Sequence, residues 1–143
     1  MVTSKTFAEP KTVTVELTIE NPEYQLDGQP QPNMEYPPFV ENSRILIPVR
    51  IFTEAFFVSI HFEIESMKSN TVTFSNGKTE IEIQTNNKTA KVNGKEIQID
   101  TPSIIRLGRT FAPVRFIMET FGATVTWDPI LHKVTIVYEI PEG

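Results

Sequence analysis

The sequence predicts an α+β fold in which an antiparallel β-sheet wraps around two short helices. Most of the 143 residues fall into short alternating segments that are separated by Asp-Gly, Asn-Gly and Asn-Asn pairs, a pattern typical of antiparallel strands joined by tight turns. Two segments instead place apolar residues at helical spacing, and each begins at a proline, Pro48 or Pro113. An internal repeat relates these two segments.

The repeat is readable at a constant offset. Arg44 matches Arg109, since 109 minus 44 gives 65. At that offset five further identities appear, in which Pro48, Val49, Arg50, Glu54 and Phe56 meet Pro113, Val114, Arg115, Glu119 and Phe121. We therefore predict a single domain at 12–140, built from two intertwined copies of a β-β-β-α-β-β unit at about 12–75 and 76–140. The polar residues 1–11 show no pattern and are expected to form a flexible lead-in.

The first copy should open with a half-buried strand, because residues 12–20 alternate between apolar and polar types. A short strand at 24–26 should then end in the Asp27-Gly28 turn, followed by a proline-rich extended loop at 29–39. A helix is expected at 48–57, with three residues on its buried face: Val49, Phe52 and Phe56. The strand after this helix should point four residues inward: Val58, Ile60, Phe62 and Ile64.

A meander of four short strands from residue 70 onward should lead from the last strand of the first copy into the second copy. The pair Asn76-Gly77 is expected to join the copies by a two-residue turn, so that they share a sheet. A second helix from Pro113 should end at Gly122 in a left-handed conformation. Phe57 stands in the place of Gly122 in the first copy, so the first helix must end differently or with strain. The strand after the second helix should bury Trp127 in the core.

Composition excludes several classes of function. There is no cysteine, which excludes disulfides, thiolate metal sites and cysteine nucleophiles. A net charge of −5 and the lack of a basic run argue against nucleic acid and anionic lipid as partners. No apolar stretch has the length of a membrane span, so we expect no membrane insertion, and residues 1–10 lack the apolar region of a signal peptide.

The proline-rich loop supplies one candidate binding surface, formed by Tyr36, Pro37, Pro38 and Phe39. Such rings can stack on sugars or peptides, and a preset proline backbone lowers the ordering cost of binding. The competing interpretation is a loop that packs its aromatic rings over the edge of the sheet.

Two arginine–glutamate pairs recur in the repeat. Their members are Arg50 with Glu54 and Arg115 with Glu119, spaced i to i+4 at the starts of the two helices. An anion site at the helix starts is one interpretation. A structural tie between helix and sheet is favoured, because a repeated pair more readily serves the repeated fold.

The remaining polar residues give weaker indications of chemistry. His61 and His132 are two ligands without a third, so we predict no metal and no other cofactor. Glu63 and Asp128 occupy equivalent places and could suggest a catalytic pair, but the repeat explains them as a strand residue and a turn residue. We therefore predict no catalytic residues and no enzymatic activity.

The segment from Arg109 to Asp128, followed by Lys133–Ile136, resembles the small N-terminal domain of copper amine oxidases, also called a stalk domain. With the weaker first copy, the resemblance covers roughly residues 24–138. It implies an antiparallel sheet around helix, and a module that recurs in secreted and surface proteins of Gram-positive bacteria. In the oxidases this domain carries no part of the active site.

Two functions are compatible with these observations. The first is a non-catalytic extracellular or cell-surface module that acts as a spacer, an anchor or a weak binding domain for cell-wall polysaccharide or a surface protein. The second is an accessory domain of a secreted enzyme, amine oxidase-like or hydrolase, without an active site of its own.

Overall fold

The computed structural model describes residues 11–141 of the chain. The predicted lead-in at 1–11 lies outside these residues except for Lys11, which begins the first strand. The first copy contains β1 (Lys11–Thr18), β2 (Tyr24–Leu26), β3 (Gln29–Pro30), β4 (Phe39–Glu41), β5 (Arg44–Pro48), α1 (Arg50–Phe56), β6 (Ser59–Ser66) and β7 (Ser69–Ser75).

The second copy repeats the same series of elements. It contains β8 (Glu80–Gln84), β9 (Thr89–Val92), β10 (Lys95–Gln98), β11 (Ile104–Arg106), β12 (Arg109–Pro113), α2 (Val114–Thr120), β13 (Thr124–Asp128) and β14 (Lys133–Ile140). The prediction of mostly antiparallel strands with two short helices is confirmed. The predicted β-β-β-α-β-β unit is not confirmed, because five strands precede each helix.

Three antiparallel sheets take the place of the one predicted sheet. Their strand orders are β13-β14-β1-β2-β3, β6-β7-β8-β9-β10 and β11-β12-β5-β4. Exchanging the two copies converts the first order into the second and leaves the third unchanged. Each five-stranded sheet therefore combines the first three strands of one copy with the last hairpin of the other.

The central four-stranded sheet lies where the copies meet. Here β5 pairs with β12, and Ile47 lies opposite its own repeat equivalent, Ala112. Both residues are fully buried. The copies also pair in the two outer sheets, where β1 pairs with β14 and β7 pairs with β8.

The hydrophobic core combines the inner faces of the sheets with both helices. Helix α1 buries Phe52 and Phe56, as predicted, and the ring of Phe52 meets that of Phe74 edge to face at 5.0 Å. Helix α2 buries Val114 and Ile117. Edge-to-face ring pairs of this kind add a directional attraction to the area that they bury.

The two helices end in different ways. Gly122, with a φ of 94°, closes α2, and the Ala123 N–H donates to the Met118 carbonyl in a Schellman motif. Phe57 closes α1 in the left-handed region, with a φ of 58°, and its N–H donates to the Thr53 carbonyl. Phe57 thus adopts a conformation that favours glycine, so the first helix ends with strain, which is one of the two predicted outcomes.

The strand β6 departs from the predicted pattern. Val58 is buried, but Phe62 is 43% and Ile64 is 76% exposed, so the predicted inward set is wrong beyond its beginning. The reason is position, because β6 forms the edge of its sheet and extends past the core.

Two further predictions need correction. The loop between β7 and β8 spans residues 76–79, so the copies are not joined by a two-residue turn, although they do share a sheet. Trp127 is 39% exposed instead of buried, because its edge strand β13 turns the ring outward against the imidazole of His132. In the described part of the chain, neither helix has the length and apolar character needed to cross a membrane.

Candidate functional site

Two clefts occupy equivalent places in the two copies. We call the larger one the first cleft; its volume is about 500 Å³, and it lies between the start of α1, the loop before β4 and the start of β12. It is lined by Asn33, Met34, Glu35, Tyr36, Pro48, Val49, Arg50, Ile51, Thr53, Glu54, Ile60, Phe62, Arg109 and Thr110. The second cleft has about 270 Å³ and lies beside α2.

An ion pair between the copies forms one wall of the first cleft. Arg109 donates from Nη2 to Glu35 Oε1 at 2.7 Å and from Nε to Oε2 at 3.0 Å, a two-pronged contact that fixes both side chains. The hydrogen bonds from Arg109 hold the pKa of the Glu35 carboxyl below its usual value. The guanidinium of Arg109 also lies over the ring of Tyr36, 5.9 Å from its centre.

The second cleft contains the equivalent ion pair with the roles of the copies exchanged. Arg44 donates from Nη2 to Asp100 Oδ2 at 2.6 Å. Arg44 is the repeat equivalent of Arg109, and Asp100 is that of Glu35, since 100 minus 35 again gives 65. Each copy therefore contributes an arginine that reaches an acid of the other copy.

The predicted arginine–glutamate pairs lie one in each cleft. Arg50 Nε is 3.9 Å from Glu54 Oε1 in the first cleft, and Arg115 Nη1 is 3.2 Å from Glu119 Oε2 in the second. Both pairs join residues of the same helix and are exposed to solvent. The i to i+4 spacing directs each arginine along its own helix, and the predicted tie between helix and sheet stays a prediction.

The two clefts differ in their aromatic residues, since Phe116 lines the second cleft and Tyr36 and Phe62 line the first. Tyr36 lines the first cleft, whereas its equivalent in the second cleft is Thr101. Phe62 also lines the first cleft, while its equivalent Trp127 does not line the second. The first cleft thus combines two aromatic rings with two acidic and two basic side chains. This combination suits a ligand that has both apolar faces and polar groups.

The structure separates the four residues of the predicted loop surface. Tyr36 opens into the first cleft, where it lies with Arg50 and Glu54, while its ring meets that of Phe111 edge-on at 6.4 Å. Pro38 is buried. Phe39 packs its ring on Phe111 at 5.0 Å, and Arg106 covers it at 4.4 Å.

The two histidines and the two acids that the sequence offered as metal ligands or catalytic residues do not come together in one site. His132 stacks on Trp127 with the ring centres 6.0 Å apart, and Asp128 Oδ1 accepts the N–H groups of Ile130 and Leu131, which lower the pKa of its carboxyl. His61 and Glu63 are exposed on β6. Among residues 11–141, no group of three histidine or acidic side chains is placed to hold a metal ion.

Sequence reasoning missed the ion pairs between the copies. In the sequence, Arg44 and Arg109 indicate the alignment of the repeat and no contact of their own. The signal was nonetheless present, because Glu35 and Asp100 are acids at the same offset that relates the two arginines. An acid and an arginine that are both repeated suggest a symmetrical contact.

Comparison with known proteins supports the resemblance noted in the sequence. A family model described as "Copper amine oxidase N-terminal domain" matches residues 2–68 and again residues 26–136. No curated protein and no solved structure matches the chain. The matched residues cover most of the sequence, and the chain therefore belongs to this family, with two copies of its motif.

Proposed function

We propose that this member of the copper amine oxidase N-terminal domain family is a non-catalytic module of a secreted or cell-surface protein, where it acts as a spacer or an anchor. The family supports an accessory, stalk-like role, since the N-terminal domain of the oxidases is itself a non-catalytic module. We further propose that the module binds cell-wall polysaccharide or a surface protein weakly.

The observation that carries this proposal is the pairing of the charges between the copies. Arg44 with Asp100 and Arg109 with Glu35 join distant parts of the chain at equivalent places. Side chains used in this way connect the two repeats to each other. A module in which the repeats are joined into one body is suited to holding neighbouring parts of a protein at a fixed separation.

We assign weak recognition to the first cleft, which Tyr36 and Phe62 both line. Aromatic rings bind the apolar faces of sugars and of peptide side chains, and nearby charges can orient polar groups. The predicted loop surface comprised Tyr36, Pro37, Pro38 and Phe39, and of these Tyr36 lines the first cleft. Tyr36 is therefore the residue of that surface to which we assign binding.

The alternative function is an accessory domain of a secreted enzyme, amine oxidase-like or hydrolase, that has no active site of its own. The description of the matching family favours this alternative. The two functions differ in what the module contacts, since an accessory domain packs on its own enzyme and an anchor binds a polymer or another protein.

Binding measurements with the intact chain test the proposal. Purified cell-wall polysaccharides and an array of surface proteins are probed with the native protein and with Tyr36→Ala. We expect the variant to bind about fivefold more weakly, because an aromatic contact contributes about 1 kcal/mol beyond its buried area.

The matched control is Trp127→Ala, which removes an exposed aromatic residue at the repeat equivalent of Phe62. This variant should bind like the native protein, and circular dichroism should show that both variants remain folded, with a small fall in melting temperature because each loses a ring contact. Binding that survives Tyr36→Ala but is lost in Arg115→Ala would place recognition in the second cleft and contradict the assignment.

A further inference from the structure

The strand β6 presents an open edge with an apolar face. It is the last strand of its five-stranded sheet, and among the described strands it pairs with β7 alone. Ile60, Phe62 and Ile64 lie on one face of this strand, and Met67 at the tip of the β6–β7 hairpin is 94% exposed. An edge with free N–H and C=O groups beside exposed apolar side chains is a template for pairing with another strand.

The equivalent edge in the other copy is better protected. The strand β13 has five residues, compared with eight in β6. Its Val125 is buried, and the ring of Trp127 lies flat against His132, with 6° between the ring planes. Since the two copies share one fold, the open edge is a property of the β6 sequence and not a requirement of the architecture.

We propose that β6 pairs in antiparallel orientation with β6 of a second copy of this chain, in the register centred on Phe62. In this register Phe62 faces the partner's Phe62, and Ile60 faces the partner's Ile64. On the opposite face His61 lies across from the partner's Glu63, so that an imidazole N–H can donate to a carboxylate oxygen. The Phe62 contact lies on the two-fold axis and occurs once, and the other contacts occur twice because the pairing is symmetrical.

Neighbouring registers fit less well. Alternate residues of an edge strand direct their N–H and C=O groups outward, so an antiparallel pair of identical strands can be centred on His61, Phe62 or Glu63. Centring on Glu63 places two carboxylates opposite each other, which is destabilising. Centring on His61 brings two imidazoles together and leaves Glu63 opposite Ser59.

A bulge limits the length of the pairing. The register between β6 and β7 shifts between Ile64 and Ser66, so the regular part of the edge runs from Ser59 to Ile64. The register centred on Phe62 uses residues 60–64 and fits inside this part. It would join two five-stranded sheets into one continuous sheet. The interface is short, and the dimer is accordingly weak and dependent on concentration.

Sedimentation velocity of the intact protein, over concentrations up to about 1 mM, tests the pairing, because weak symmetrical contacts form in that range. The native protein should pass from monomer to dimer as concentration rises. His61→Glu should weaken the dimer by roughly tenfold, because it sets like charges against each other at both ends of the pairing. Combining His61→Glu with Glu63→His should restore the dimer, since the register again places acid opposite imidazole.

The two exchanged residues are exposed and do not line the first cleft, so the exchange leaves the residues of the binding proposed for Tyr36 unaltered. Unchanged melting temperatures verify that each variant is folded. Hydrogen exchange should slow with concentration in β6 but not in β13. A native protein that remains monomeric throughout, or a dimer that His61→Glu does not affect, would overturn the proposal, and failure of the exchanged pair to restore dimerisation would overturn the register.

Discussion

Arg44 and Arg109 occupy equivalent places in the two copies, and each binds an acid that belongs to the other copy. The partners Asp100 and Glu35 are themselves equivalent, so a single contact is made twice. Exposed ion pairs contribute little to stability in general. Their main consequence here is geometric, because each pair fixes the loop before β4 or β11 against a strand of the other copy and so forms one wall of a cleft.

The contact between Arg109 and Glu35 makes stability depend on pH in a defined direction. The pKa of Glu35 is lowered in the folded protein, first by its hydrogen bonds with Arg109. Its contribution to the free energy of unfolding is thus fully present above the ordinary pKa of glutamate and is lost as pH falls through the lowered value. In Arg109→Gln the pKa of Glu35 should rise towards its ordinary value, as measured by NMR titration, and this acid-dependent loss of stability should disappear.

Asp128 provides an internal control in the same titration. Its pKa is lowered mainly by the N–H groups of Leu131 and Ile130, so it should not change in Arg109→Gln. An unchanged pKa of Glu35 in the variant, or equal shifts of both carboxyls, would show that Arg109 is not the cause.

The helix ends show how an element of the repeat adapts to a different residue. Gly122 and Phe57 occupy the same place after their helices, and both are left-handed. Glycine adopts this conformation freely, whereas a residue with a side chain is strained there by roughly 1–2 kcal/mol. The strain is tolerated at Phe57, where the Thr53 hydroxyl donates to the Val58 carbonyl at 2.8 Å and helps to hold the turn.

Substitutions at these two positions should therefore have unequal effects. Gly122→Ala should destabilise the protein by about 1 kcal/mol through the backbone alone, since nothing lies within 4 Å of the added Cβ. Phe57→Gly should change stability by less than about 1 kcal/mol, because relief of strain offsets the loss of the contact with Lys11 and the greater freedom of the unfolded chain. Chemical denaturation measures both; a larger cost for Phe57→Gly than for Gly122→Ala would contradict the assignment of strain.

The sequence predicted the positions of strands and helices better than it predicted which of their faces are buried. The alternation of residues 12–20 and the helical spacing of Val49, Phe52 and Phe56 identified β1 and α1, because burial imposes those periods. The same alternation in β6 predicted an inward face that is in fact exposed. Periodicity shows that two faces of a strand differ, but it does not show whether a neighbouring layer covers one of them, and Trp127 was misplaced for the same reason.

At the scale of the whole molecule, the pairing of strands between the copies lay beyond the sequence pattern. The Asn76-Gly77 pair indicated correctly that the copies share a sheet, because a short connection favours neighbouring strands, although the loop spans four residues, 76–79. The pairing of β1 with β14 joins the two ends of the domain, and no local signal specifies it. The sequence does not predict the first cleft either, because the cleft brings Tyr36, Arg50 and Arg109 together from three separate segments.

The central claim is that the two copies form one interlocked body, which the proposed spacer role requires. Cleavage of the intact protein at a protease site introduced into the loop at 76–79 tests it most directly. We predict that the two pieces remain associated and folded after cleavage, because β1–β14, β5–β12 and β7–β8 all join one copy to the other. They should separate only in denaturant, in a single transition. Pieces that separate under native conditions and remain folded on their own would contradict the claim.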